Sequence, residues 1–221
     1  MPATFTVRLS DRAPYEHGVQ CCGGEATVLM DPVPVVPAVA IFGMGHVGLE
    51  TARVLSRFDI DLHLVDSRSE QLTEAALAPL GDAVAAIHPH HAPVLPEAVL
   101  GDLPRGTHVL VMTHDHAEDL AIVDAALRRD HLGDIGLIGS SAKWARFRVK
   151  LAEAGFAPHD IDRVETPIGL PGLTSSKEPA AIALSVAARW LGSMEQHVRG
   201  QADVGHTSAR SSWREDEDMA N

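Results

Sequence analysis

Sulfur and aromatic side chains are scarce in this sequence. Cys21 and Cys22 are the only thiols among 221 residues, and Phe, Trp and Tyr together make up 4%. Adjacent cysteines can close only a strained vicinal disulfide, which argues against a structural staple. A core with few aromatics has to be built from Ala, Val, Leu and Ile, and that composition suits a parallel sheet covered by helices. Basic residues are short as well: 18 Lys and Arg stand against 30 Asp and Glu, a formal charge of −12. Nucleic acid and anionic membranes both require clustered cations, so neither is expected as a partner. No run approaches the ~20 apolar residues of a membrane span. The opening MPATFTVRLSDR lacks the apolar segment and small-residue cleavage site of a secretion signal. A cytoplasmic protein in a reducing compartment is expected.

What the chain does have is a regular alternation of short apolar runs with helical periodicity. AVAIF (38–42), DLHLVD (61–66), AVAAIH (83–88), THVLVMTH (107–114), DIGLIGS (134–140) and VET (164–166) read as strands. HVGLETARVLSRF (46–58), SEQLTEAALAPL (69–80), HAEDLAIVDAALRRD (116–130) and SAKWARFRVKLAEAG (141–155) read as helices, with another over 177–194. The proline-rich HPHHAPVLPEAVLGDLPRG is expected to be a solvated loop with a turn or two of helix around 95–101. The alternation predicts an α/β fold, a Rossmann-like doubly wound parallel sheet with right-handed crossovers. The expected organisation is a short β-like lead-in over 1–34, a Rossmann-like domain over 35–194 and a disordered tail over 195–221. In the lead-in, TFTVRL and EATVLM are expected strands joined across the CCGG turn.

Gly43-Met44-Gly45-His46-Val47-Gly48 fits the G-x-G-x-x-G pattern, directly after a strand and opening a helix, with Asp66 ending the next strand. Gly43 permits the tight turn, Gly45 lets a phosphate approach the backbone, and Gly48 allows close helix–strand packing. The N–H groups of the helix start, from His46 on, then face an anion. Asp66 is placed to accept ribose hydroxyls and Arg68 to reach a phosphate. The plainer reading is a tight β–α turn and nothing more.

Thr113-His114-Asp115-His116 crowds polar groups at the end of the strand expected beside the first one, although Asp115 also suits a helix cap. Ser140, Ser141 and Lys143, after Gly139, offer a second anion seat at a helix start, or simply a cap followed by a solvated basic face. Thirteen histidines lack the spacing of a metal cage. Cys21 and Cys22 fit neither a zinc framework nor a redox pair. Thiolates are soft ligands for thiophilic metals and for sulfur chemistry, and Gly23 and Gly24 leave room for a bulky ligand. Two buried, inert thiols are the alternative.

Six ordered blocks resemble the xanthine dehydrogenase accessory proteins of the XdhC/CoxF type. They are GVQCCGGEATVLMDP (18–32), IFGMGHVG (41–48), LVDSR (64–68), VMTHDHAEDL (111–120), IGLIGSSAKWARF (135–147) and PIGLPGLTSSKEPAAIALSVAA (167–188). The resemblance implies a chaperone without turnover, which binds the molybdenum cofactor (molybdopterin), supports its sulfuration by a cysteine desulfurase and delivers it to apo-xanthine dehydrogenase. It makes Cys21 or Cys22 the candidate contact to molybdenum and the glycine loop a seat for the phosphate of the pterin or of a nucleotide. Family members usually carry a longer region ahead of QCCGG than precedes it here. A homodimer is the expected assembly. The competing reading is an NAD(P)-dependent oxidoreductase acting on a small carbonyl or hydroxyl substrate, with His114 or Lys143 as general acid. It leaves CCGG unexplained. A third reading is a metal-dependent hydrolase using Asp115 and the nearby histidines.

Overall fold

The computed structural model describes residues 3–9, 24–31, 36–173 and 175–194. Residues 10–23, which include Cys21 and Cys22, and the expected tail over 195–221 lie outside the described residues. The chain divides into two compact units, residues 1–35 and 36–221.

The first unit holds β1 (Ala3–Leu9) and β2 (Gly24–Met30), paired antiparallel with Phe5 opposite Val28 and Val7 opposite Ala26. Alternation places these four side chains on one face of the ribbon and Thr4, Thr6, Thr27 and Leu29 on the other. Both strands fall where the sequence predicts them.

The second unit is a Rossmann-like α/β fold. Its six strands are β3 (Ala38–Phe42), β4 (Asp61–Asp66), β5 (Ala86–His91), β6 (His108–Val111), β7 (Ile135–Leu137) and β8 (Val164–Glu165). They pair in parallel in the order β5-β4-β3-β6-β7-β8. The chain runs outward from β3 to β5, then returns to β6 on the other side of β3. This makes the β3/β6 boundary the topological switch point. All five residues of β3 are buried, Val39 and Ile41 against one face and Ala40 and Phe42 against the other. A strand covered on both faces has no polar side, so it reads as an unbroken apolar run.

Helix α1 (His46–Leu55) buries Gly48, Thr51, Ala52 and Leu55, one stripe at helical spacing. It shares its face of the sheet with the last helix, α6, over 179–194, whose Val186, Ala187 and Trp190 enter the same core. The opposite face is covered by α3 (His116–Leu127) and α4 (Ser141–Glu153). Among the described residues, no helix is long and apolar enough to cross a membrane.

Two expected elements differ. The helix predicted over 69–80 is broken into a 3-10 turn at Ser69–Leu72, α2 at Glu74–Leu77 and a second 3-10 turn at Ala78–Leu80. Thr73 is extended and caps the N–H of Ala76, so the chain begins a new helix there. The third strand lies at 86–91 rather than 83–88, because Val84 and Ala85 donate to the Ser56 carbonyl in a turn. His88-Pro89-His90-His91 therefore belongs to a strand and not to a solvated loop. That strand is at the edge of the sheet, where a proline is tolerated. A short α5 (Pro158–Ile161) has no counterpart in the sequence pattern.

Candidate functional site

The site is built at the carboxyl edge of the sheet, where β3, β4 and β6 end. The three loop glycines differ in what holds them there. Gly43 has φ +100°, and a Cβ on it would lie 2.5 Å from the Met112 carbonyl oxygen. A Cβ on Gly48 would lie 1.9 Å from the Gly43 carbonyl oxygen, so α1 packs against the loop only with glycine there. A Cβ on Gly45 would meet nothing within 4 Å. Packing explains the first two glycines, while Gly45 presents bare backbone to open space. Gly45 is also the N-cap of α1, with no side-chain cap and no acid in the first turn. The orphan N–H groups of such a helix start favour an anion. His46 is exposed beside them.

Asp66, at the end of β4, is 2% exposed. Its Oδ2 accepts the backbone N–H of Met44 at 2.7 Å and Arg68 Nη2 at 3.0 Å. Its Oδ1 accepts the N–H of Arg68 and Arg68 Nε, both at 2.9 Å. Burial pushes this carboxyl up, but the Arg68 and Met44 hydrogen bonds outweigh it and hold it below the usual range. Four donors thus engage the acid that the sequence places at a ribose. Arg68 in turn is fixed along that carboxylate instead of swinging free.

The loop after β6 is held by a buried ion pair. Asp119, fully buried on α3, accepts the Thr113 N–H at 3.0 Å and the Thr113 hydroxyl at 2.8 Å through Oδ1. Its Oδ2 is paired with Lys143 Nζ, which also donates to the Ile138 carbonyl at 2.8 Å. Lys143 is 5% exposed, so it sits beneath the edge and not on the solvated basic face formed by Arg146, Arg148 and Lys150. A Cβ on Gly139 would come within 2.8 Å of the Lys143 chain passing over it. Ser140 caps α4 by accepting the Lys143 N–H at 3.2 Å.

His114 is exposed, and Asp115 caps α3 through the N–H groups of Ala117 and Glu118, which hold its carboxyl below the usual range. Glu118, not singled out from the sequence, reaches across to accept the Ser67 hydroxyl at 3.1 Å. Burial pushes its carboxyl up, against that hydrogen bond. The strand ends therefore bring together Gly43, Gly45, His46, Gly48, Asp66, Arg68 and His114 near the switch point, with Lys143 below. Among the described residues no group of three or more His, Cys, Asp or Glu is placed to hold a metal. A separate cleft of about 470 Å³ lies beyond β8, between the Pro167–Gly172 loop and α6.

Residues 39–189 match the family model of the XdhC Rossmann domain. The chain is 26% identical over 170 residues to the uncharacterized protein YqeB of Escherichia coli strain K12, covering 77% of this chain and 30% of YqeB. It therefore spans less than a third of that curated relative's length. A crystal structure of a xanthine dehydrogenase from Bacillus halodurans matches with a TM-score of 0.58 at 21% identity, covering 78% of this chain and 46% of that one. At this identity the likeness is one of fold.

Proposed function

This chain belongs to the XdhC Rossmann-domain family, and on that footing we propose that it is an accessory protein in the maturation of xanthine dehydrogenase. Its cargo is the molybdenum cofactor, which it holds while a cysteine desulfurase replaces an oxo ligand by sulfide, and then passes to apo-xanthine dehydrogenase. The observation that carries this reading is the contrast between Gly45 and Asp66. The uncapped start of α1 at Gly45 suits a phosphate, which the cargo bears. The acid that would read a ribose diol has its oxygens engaged by Met44 and Arg68. In this reading the backbone N–H groups from His46 on bind the cargo's phosphate, and Asp66 and Arg68 set the loop that presents them. Cys21 and Cys22 supply the soft thiolates suited to molybdenum.

The strand order favours one competing reading, an NAD(P)-dependent oxidoreductase, since this order is the one that binds dinucleotides at its switch point. One purification separates the two. Isolated under reducing conditions, the protein is expected to retain molybdenum and pterin fluorescence. The Cys21→Ser/Cys22→Ser variant is expected to lose molybdenum with an unchanged circular dichroism spectrum. Equal retention by that variant overturns the thiolate assignment. Tight NADH binding with hydride transfer to a small carbonyl establishes the oxidoreductase instead.

A further inference from the structure

Alternation along β4 sends Leu62 and Leu64 into the α1 side of the core and leaves Asp61 and His63 on the opposite face. The parallel register sets His88 of β5 beside His63 and His90 beside Val65. Three imidazoles are thereby stacked on the edge of the sheet. The His63 ring centroid lies 4.7 Å from that of His88 and 5.2 Å from that of His90, with interplanar angles of 21° and 24°. His63 Nδ1 is 3.0 Å from His90 Nε2, and His88 Nε2 is 2.8 Å from Asp61 Oδ1. His63 itself is 8% exposed, and its buried Nε2 meets no hydrogen-bond partner among the described residues.

This arrangement tolerates only one protonation state of its middle ring. Between neutral His63 and His90, one nitrogen donates and the other accepts. A proton added to His63 turns the unpartnered Nε2 into a buried charged donor with no acceptor, a costly state. It also stacks a cation between two further imidazoles. We propose that His63, His88 and His90 form an acid-sensitive latch, in which neutral rings hold edge strand β5 against β4 and protonation of His63 releases it. The charged and titratable groups around the latch are Asp61 on β4, His88 and His90 on β5, and Asp102 after the 3-10 turn Pro96–Gly101.

Burial, with His88 and His90 adding to it and Asp61 opposing, lowers the His63 pKa to about 4. His90 is lowered in the same sense by burial and His88, against Asp102. A histidine depressed in the closed form and ordinary in the open form stabilises closure fully above the ordinary imidazole range. That contribution is lost as pH falls toward about 4.

Two measurements on the full chain test this. A ring NMR titration of His63, its signal assigned by through-bond correlation to its own backbone, is expected to show a midpoint near 4; an ordinary imidazole midpoint overturns the proposal. Amide exchange, corrected for its intrinsic pH dependence, is the second. The backbone N–H groups of residues 86–88, 90 and 91 are expected to open at least about tenfold more readily near pH 5 than near pH 7.5, while those of 38–42 do not. His63→Phe keeps the stacking without the proton and is expected to abolish the difference. The same acid response in both proteins, or simultaneous opening of both strands, overturns the latch; the NMR result stands even if the variant fails to fold.

Discussion

The carboxylate of Asp66 accepts the backbone N–H of Met44 at 2.7 Å, tying the end of β4 to the glycine loop that follows β3. The same carboxylate carries Arg68. One buried side chain therefore sets both the shape of the loop and the position of the cation beside it.

Replacing Asp66 by Ala is expected to destabilise the fold by about 2–3 kcal/mol, the scale of lost hydrogen bonds to a charged group. Urea unfolding measures it. Because the folded-state carboxyl is held below its unfolded value, its contribution is fully present above the usual carboxylate range and declines as pH falls through it. Asp66→Asn is expected to flatten the acid limb of the stability–pH curve.

The Asp119–Lys143 pair predicts a non-additive cycle. Lys143→Met leaves Asp119 charged and buried, and is expected to cost about 3–5 kcal/mol. In the double variant with Asp119→Asn, the amide can still serve Thr113 without a buried charge. That variant is expected to be more stable than Lys143→Met alone, by equilibrium denaturation.

The glycine loop predicts a separation of stability from binding. Gly48→Ala drives a methyl group into the Gly43 carbonyl and is expected to cost more than about 3 kcal/mol. Gly45→Ala, at a φ of −70° and facing open space, is expected to cost only about 1 kcal/mol of cap energy. It is nevertheless expected to weaken retention of the cargo proposed above, read as molybdenum and pterin per chain after purification.

The parts of this molecule that announce themselves in sequence are those where local pattern and tertiary role agree. β3 is an apolar run because it is covered twice, and the loop after it needs glycine at 43 and 48 for reasons of space alone. The apolar pattern places β5 three residues early because its proline and histidines resemble a loop, and only its edge position reconciles them with a strand. The buried pair is within reach of the pattern. Asp119 heads the stripe continued by Ile122, Val123, Ala126 and Leu127, and Lys143 heads the one continued by Phe147 and Leu151. Opposite charges at the heads of two buried stripes must either meet or be solvated, and which of the two occurs depends on a strand order that periodicity does not contain. The engagement of Asp66 is equally invisible, since a fingerprint acid looks the same whether it faces a ligand or its own loop.

The return of α6 to the side of α1 bears on how the chain is made. Val186, Ala187 and Trp190 share one buried core cluster with Leu110 of β6 and with Met112 just after it, and Trp190 also meets the ring of Phe58. All six strands of the sheet leave the ribosome before this helix does. A nascent chain halted after β8 would carry a finished sheet with one face partly bare, so α6 covers that face only after all six strands are made, and ribosome-bound intermediates short of it are the forms most in need of a chaperone's cover.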